Sequence, residues 1–128
     1  MDVLLDTNAF LRWVEDDPAL SKKARATIAS ADNDILISMA VPWELTIKSG
    51  LGKIRLAQPV GRYVASHIKA NGFRLLGIDL DEVALLESLP QHHRDPFDRL
   101  LIAQAKVRKL PVISADRAFS EYGIKRIW

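Results

Sequence analysis

The chain has no cysteine, which excludes a disulfide framework, a zinc-thiolate centre and a thiol nucleophile, and suits a reducing compartment. It also lacks long hydrophobic runs. No segment approaches the ~20 apolar residues of a membrane span, and the opening MDVLLDTN carries no basic stretch, signal-length apolar run or cleavage site. The expectation is a soluble cytoplasmic protein with no membrane partner. Low-complexity tracts, internal repeats and linkers are missing as well, and 6 Gly and 6 Pro among 128 residues are unexceptional. At 48% hydrophobic and 27% charged residues, the expectation is one domain, residues 1–128, burying roughly two thirds of its unfolded surface. A net charge of +2 and a pI near 9.0 permit an anionic partner such as nucleic acid without requiring one.

What is present is an alternation of short Val/Ile/Leu runs with segments of helical period. Residues 3–5, 35–39, 73–78, 111–114 and 124–128 read as strands. Residues 8–15, 21–31, 41–49, 60–71, 81–89, 96–109 and 117–121 read as helices, with GLGKIRLAQP between the third and fourth as a loop. Strands apolar throughout, alternating with helices, predict an α/β fold: a three-layer α/β/α sandwich around a mostly parallel sheet of about five strands. The strand order is not readable.

In such sheets ligands bind beyond the carboxyl ends of the strands, where loops and helix N-termini converge. Asp6 follows the first strand in LLDTN, and Asp116 lies two residues beyond the fourth in SADRAF. The helix that follows the second strand, opening AVPWELTIK, carries Glu44 in its first turn. Asp98 is the third residue of a helix that Asp95 caps and Pro96 begins, and at 100° per residue it projects on the same side as Leu101, Ile102 and Ala105. Each acid alone has a plain reading as a turn or cap residue, and Asp98 in DPFD fits a capping box. Capping accounts for its place along the helix but not for its inward face.

Four acids drawn from four segments to one sheet edge would repel, since two unit charges ~4 Å apart cost about 4 kcal/mol at an effective dielectric near 20. A cation is the natural compensation. The donors are hard oxygens, without Cys or an HExxH pattern, which favours Mg²⁺ or Mn²⁺ over zinc. Such an ion activates water and stabilises charge on a phosphoryl oxygen, chemistry suited to phosphodiester hydrolysis.

LLDTN, PWEL, HRDPFDRLLIAQA and SADRAF, in this order over essentially the whole chain, resemble PIN-domain ribonucleases, specifically VapC-type toxins of bacterial toxin-antitoxin pairs. The resemblance implies a PIN-like fold and a divalent-metal-dependent endoribonuclease acting on RNA. It implies that Asp6, Glu44, Asp98 and Asp116 are the catalytic, metal-binding residues. It also implies an inhibitory antitoxin partner and a homodimer.

Other residues receive lesser roles. Thr7, Asn8 and Ser114 adjoin the acids as candidate hydrogen-bonding partners, and Asp95 is read mainly as a cap. Arg99, Arg117, Lys22, Lys23 and Arg25 read as solvated helix faces, and His92 and His93 as surface loop residues rather than acid-base groups. Trp13, Trp43 and Trp128 read as core or interface anchors rather than base-stacking platforms. Asp16, Asp17, Asp79 and Asp81 read as turn or cap residues. Two alternatives compete. A receiver module or a haloacid-dehalogenase-like phosphoryl-accepting domain also places Asp after parallel strands, but the latter wants an acid where Asn8 stands and the former adjacent acids after its first strand. A non-catalytic interaction domain would not need all four acids.

Overall fold

The computed structural model describes residues 1–128. The elements are β1 (Asp2–Leu5), α1 (Thr7–Val14), α2 (Lys22–Ala29), β2 (Asp34–Ser38), α3 (Ala40–Gly50), α4 (Val60–Asn71), β3 (Arg74–Leu76), α5 (Leu80–Leu85), α6 (Pro96–Arg108), β4 (Val112–Ile113), α7 (Ala118–Glu121) and β5 (Arg126–Ile127). All strand pairs are parallel, in the order β3-β2-β1-β4-β5. The expected sheet of about five strands is therefore parallel throughout, and α4 has the predicted bounds. No helix is long and apolar enough to cross a membrane.

Strand alternation builds two cores, one on each face. Val3, Leu5, Ile35, Ile37 and Ile113 point to one side, where Phe10 of α1, Ala24 and Ile28 of α2, Val41 and Leu45 of α3 and Val64 of α4 pack on them. Leu4, Leu36 and Val112 point to the other, under Leu101, Ile102 and Ala105 of α6 and Phe119 of α7. With both faces covered, the strands carry no polar side, which is why their sequence reads as continuous apolar runs.

Several expected elements are shorter than their apolar sequence suggests. The helix read over residues 81–89 is the six-residue α5, and β4 and β5 are two residues each. Leu89 is buried without being helical. Apolar side chains signal burial, and a connection that covers the core uses them as well as a helix does.

The chain steps outward from β1 through β2 to β3, then returns to place β4 on the other side of β1. A parallel sheet opens a crevice at such a reversal, outside the carboxyl ends of the two strands concerned. Here that point lies between Leu5 and Ile113, where the amide of Asp6 donates to Ile113 O at 3.2 Å.

A buried polar network fixes α5 and α6 against the end of β2. Glu82, fully buried, accepts from the Asp79 N–H at 2.9 Å, from Gln104 Nε2 at 3.1 Å and from Arg108 Nε at 2.5 Å. Gln104, equally buried, accepts from Ser38 Oγ at 2.5 Å and donates to Gly77 O at 3.0 Å. A buried carboxylate is tolerable only with its partners in place. Glu82→Ala removes the acceptor shared by Arg108 Nε, Gln104 Nε2 and the Asp79 amide, and should lower stability by about 3 kcal/mol in urea unfolding. A loss below about 1 kcal/mol, the level of an exposed ion pair, would show the network to be dispensable.

Candidate active site

Each predicted acid is set by a local rule and delivered to the reversal by topology. Asp6 leaves β1 and caps α1, its Oδ1 accepting from the Ala9 N–H at 2.7 Å. Its carboxyl is buried, and that burial raises its pKa above the ordinary carboxylate value. Glu44 adds to the rise, while the Ser114 hydroxyl and the Ala9 amide oppose it. Glu44 is also buried. One of its oxygens accepts from the Thr7 hydroxyl at 2.6 Å, and the other pairs with Lys48 one helical turn on. That hydrogen bond holds the Lys48 pKa above its usual value, with Asp95 and Asp98 contributing.

Asp98 answers its capping-box reading directly. Asp95 does cap α6, its Oδ1 accepting from the amides of Phe97 at 2.8 Å and Asp98 at 3.0 Å. The reciprocal half of the box is not made, because the Asp95 N–H donates instead to His93 Nδ1 at 3.0 Å. The Asp98 carboxylate is thus left to face the cleft. Burial, then the charges of Asp95, Asp6 and Glu44, push its pKa up to about 7, with His93 pulling the other way.

Asp116 is exposed and opens α7, its Oδ1 accepting from the Ala118 N–H at 2.9 Å while its own N–H donates to Ser114 Oγ at 3.0 Å. His93 joins it to the cluster. His93 Nε2 stands 2.7 Å from Asp116 Oδ2 and 3.1 Å from Asp98 Oδ2, and ligating atoms of these three residues lie within 4.8 Å of one another. Asp6 and Glu44 flank this tight trio and act on it through their charge.

Several plainer readings are corrected here. His93 is not a surface residue: its side chain is only 15% exposed, and two neighbours hold its backbone. Tyr122 Oη accepts from its amide at 2.8 Å, and Arg99 Nη1 donates to its carbonyl at 3.3 Å. Arg99, expected on a solvated face, also donates to the carbonyls of Leu86, Leu89 and Pro90 at 2.9 to 3.3 Å. It ties down the segment between α5 and α6, because carbonyls outside regular structure need donors. Arg25 pairs with Asp16 at 2.6 Å. Trp43 is no core anchor: 53% exposed, it meets Phe97 edge to face at 5.0 Å between ring centroids. Trp13 and Trp128 do pack on the core. Of the two residues after Asp6, Thr7 is buried against Glu44 and Asn8 is exposed.

Lys48, His93 and Arg99 are the residues that sequence reasoning missed or misplaced. Lys48 was legible as an i+4 partner of Glu44, whereas nothing local to Arg99 signals carbonyls more than five residues away. A surface pocket of about 410 Å³, lined in part by Met1, Lys109 and Lys125, lies at the opposite, amino edge of the sheet and plays no part in the acidic cleft.

The acids and the hydroxyls of Thr7 and Ser114 form a hard-oxygen donor set with an excess of negative charge, which fits Mg²⁺ or Mn²⁺. Burial and the nearby carboxylates together raise the Asp98 pKa in spite of the opposing charge of His93. The molecule is thus a parallel α/β/α sandwich with an acidic cleft at its strand reversal. The PIN domain family model matches residues 3–125, and the chain belongs to that family.

Solved structures show the same architecture at low identity. A chain of VapBC2 from Rickettsia felis, bound to a DNA fragment from its promoter, superposes with a TM-score of 0.72 at 14% identity, with 100% of both chains covered. DNA-bound VapBC from Salmonella typhimurium gives 0.70 at 19%, covering 98% of this chain and 96% of that one. VapBC-5 from Mycobacterium tuberculosis, of the VapBC family of toxin-antitoxin systems, gives 0.60 at 20%, covering 98% and 97%. No curated protein matches the chain.

The Asp98 carboxyl, raised from 3.8 to about 7, keeps a proton in the folded state that the unfolded chain has already released. Ion-free stability should therefore fall as pH rises from about 4 to about 7 and level off beyond. Asp6, shifted in the same direction, adds to the fall. Thermal unfolding in chelator should give a visibly shallower decline for Asp98→Asn, and an unchanged slope would place the titration elsewhere.

Proposed function

We propose that the protein is a divalent-metal-dependent endoribonuclease and the toxin of a type II toxin-antitoxin pair, acting in the cytoplasm. Asp6, Glu44, Asp98 and Asp116 hold Mg²⁺ or Mn²⁺. The observation that carries this reading is the convergence of acids on one cleft, with Asp98 raised to about 7 first by burial and then by the charges of Asp95, Asp6 and Glu44. Structure-only roles do not need this arrangement, since stability alone would favour an amide at that position.

When bound, the ion supplies a water of lowered pKa and a counter-charge for the phosphoryl oxygens. The chain's own contributions are positional. Thr7 fixes one oxygen of Glu44, the Ala9 amide fixes Asp6, and the Ala118 amide fixes Asp116. Lys48, paired with Glu44 at the cleft, supplies a cation within reach of an incoming phosphate.

The partner reading follows from the neighbours, which include VapBC toxin-antitoxin assemblies. We infer a cognate antitoxin that covers the cleft, and a homodimer. The phosphoryl-accepting alternative gains nothing from the geometry, since Asn8, where a dehalogenase-like site would carry its second acid, is exposed.

Purified protein incubated with a mixed RNA pool should cut it with Mg²⁺ or Mn²⁺ and stop on chelation. Asp98→Asn should reduce cleavage to background while remaining folded. Fragments that persist in both Asp98→Asn and Glu44→Gln would refute the assignment.

A further inference from the structure

The imidazole of His93 is oriented at both nitrogens. A ring nitrogen that accepts a hydrogen bond carries no hydrogen, so the Asp95 amide on Nδ1 at 3.0 Å places the ring hydrogen on Nε2. That nitrogen faces Asp116 Oδ2 at 2.7 Å and Asp98 Oδ2 at 3.1 Å. In this rotamer Nε2 is a donor and has no lone pair to offer an ion. The backbone that carries the ring is fixed as well. Its amide is held by Tyr122 Oη, which itself donates to Pro90 O at 2.8 Å, and its carbonyl by Arg99.

We propose that His93 is a positioning residue of the acidic site: its Nε2–H clamps Asp98 and Asp116 side by side, and it is not a metal ligand. The functional meaning of the clamp rests on the metal-site reading above. His93 acts on Asp98 twice. By occupying the Asp95 amide it removes the capping-box partner that would draw the Asp98 carboxylate back along α6, and by offering Nε2–H it supplies a donor on the cleft side. Each carboxylate oxygen has two lone pairs, so the clamp leaves acceptor capacity for an ion, as hydrogen bonds to ligating carboxylates generally do.

The test compares wild type, His93→Ala and His93→Gln. Glutamine keeps an N–H near the Nε2 position and a carbonyl able to take the Asp95 amide. Calorimetric titration with Mn²⁺ alone, without RNA, should show binding weakened about 10- to 100-fold in His93→Ala and largely restored in His93→Gln. Nitrogen-15 spectra of the ion-free wild type should show His93 as the Nε2–H tautomer. Wild-type affinity in His93→Ala would overturn the clamp. Binding as weak in a folded His93→Gln as in His93→Ala would mean that the imidazole itself ligates, and an Nδ1–H tautomer would contradict the orientation. Should His93→Ala fail to fold, the tautomer and the glutamine variant still decide. A wild type that takes up no Mn²⁺ would sink the metal-site reading instead, and the clamp would then stand or fall on the tautomer.

Discussion

Like charges held close together in a cleft where strand order reverses are the constraint around which this molecule is arranged. Packing alone does not gather Asp6, Glu44 and Asp98, because each carries a charge that opposes the approach of the others. They are brought together by backbone rules that are locally satisfied. Asp6 caps a helix, Asp98 follows a capped proline turn, and Glu44 rides on a helix whose Val41 and Leu45 are buried in the core. The favourable terms are spread over two apolar layers, while the unfavourable term is concentrated at one edge of the sheet.

The molecule offsets that term only in part. Thr7 and Lys48 satisfy Glu44, helix amides satisfy Asp6 and Asp116, and His93 bridges Asp116 and Asp98. What is left falls on Asp98. The helix α6 spans the fold between two polar systems of opposite character. At its start Asp98 lies among acids that repel it, and near its end Gln104 and Arg108 complete a buried network around Glu82 in which donors and acceptors are matched. The matched end anchors the helix so that the mismatched end can be held in place.

Much of this was legible in the sequence, and the reason is local. Strand and helix identity follow from apolar periodicity, the start of α6 from Asp95 and Pro96, and the inward face of Asp98 from a 100° helical step. The topology brings the predicted acids to one strand-end cleft, Asp98 acting with Asp6 and Glu44 through charge and with Asp116 through His93. Strand order was not legible, because the pairing of β1 with β4 joins residues more than a hundred positions apart and no short pattern encodes it. His93 was missed for a related reason: its role depends on Tyr122, 29 residues away, and Asp116, 23 residues away. Arg99 looked solvated on a helical wheel, but the segment before α6 folds back over it and takes up its donors.

The central claim, that the cleft carries charge awaiting a divalent ion, is tested most directly by counting protons released when Mn²⁺ binds. Titrations in buffers of different ionisation enthalpy give that number. Because Asp98 is held at about 7, uptake near neutral pH should expel about half a proton, with the release vanishing by about pH 9 and disappearing in Asp98→Asn. Ion binding with no proton release near neutrality, or no binding at all, would contradict the account.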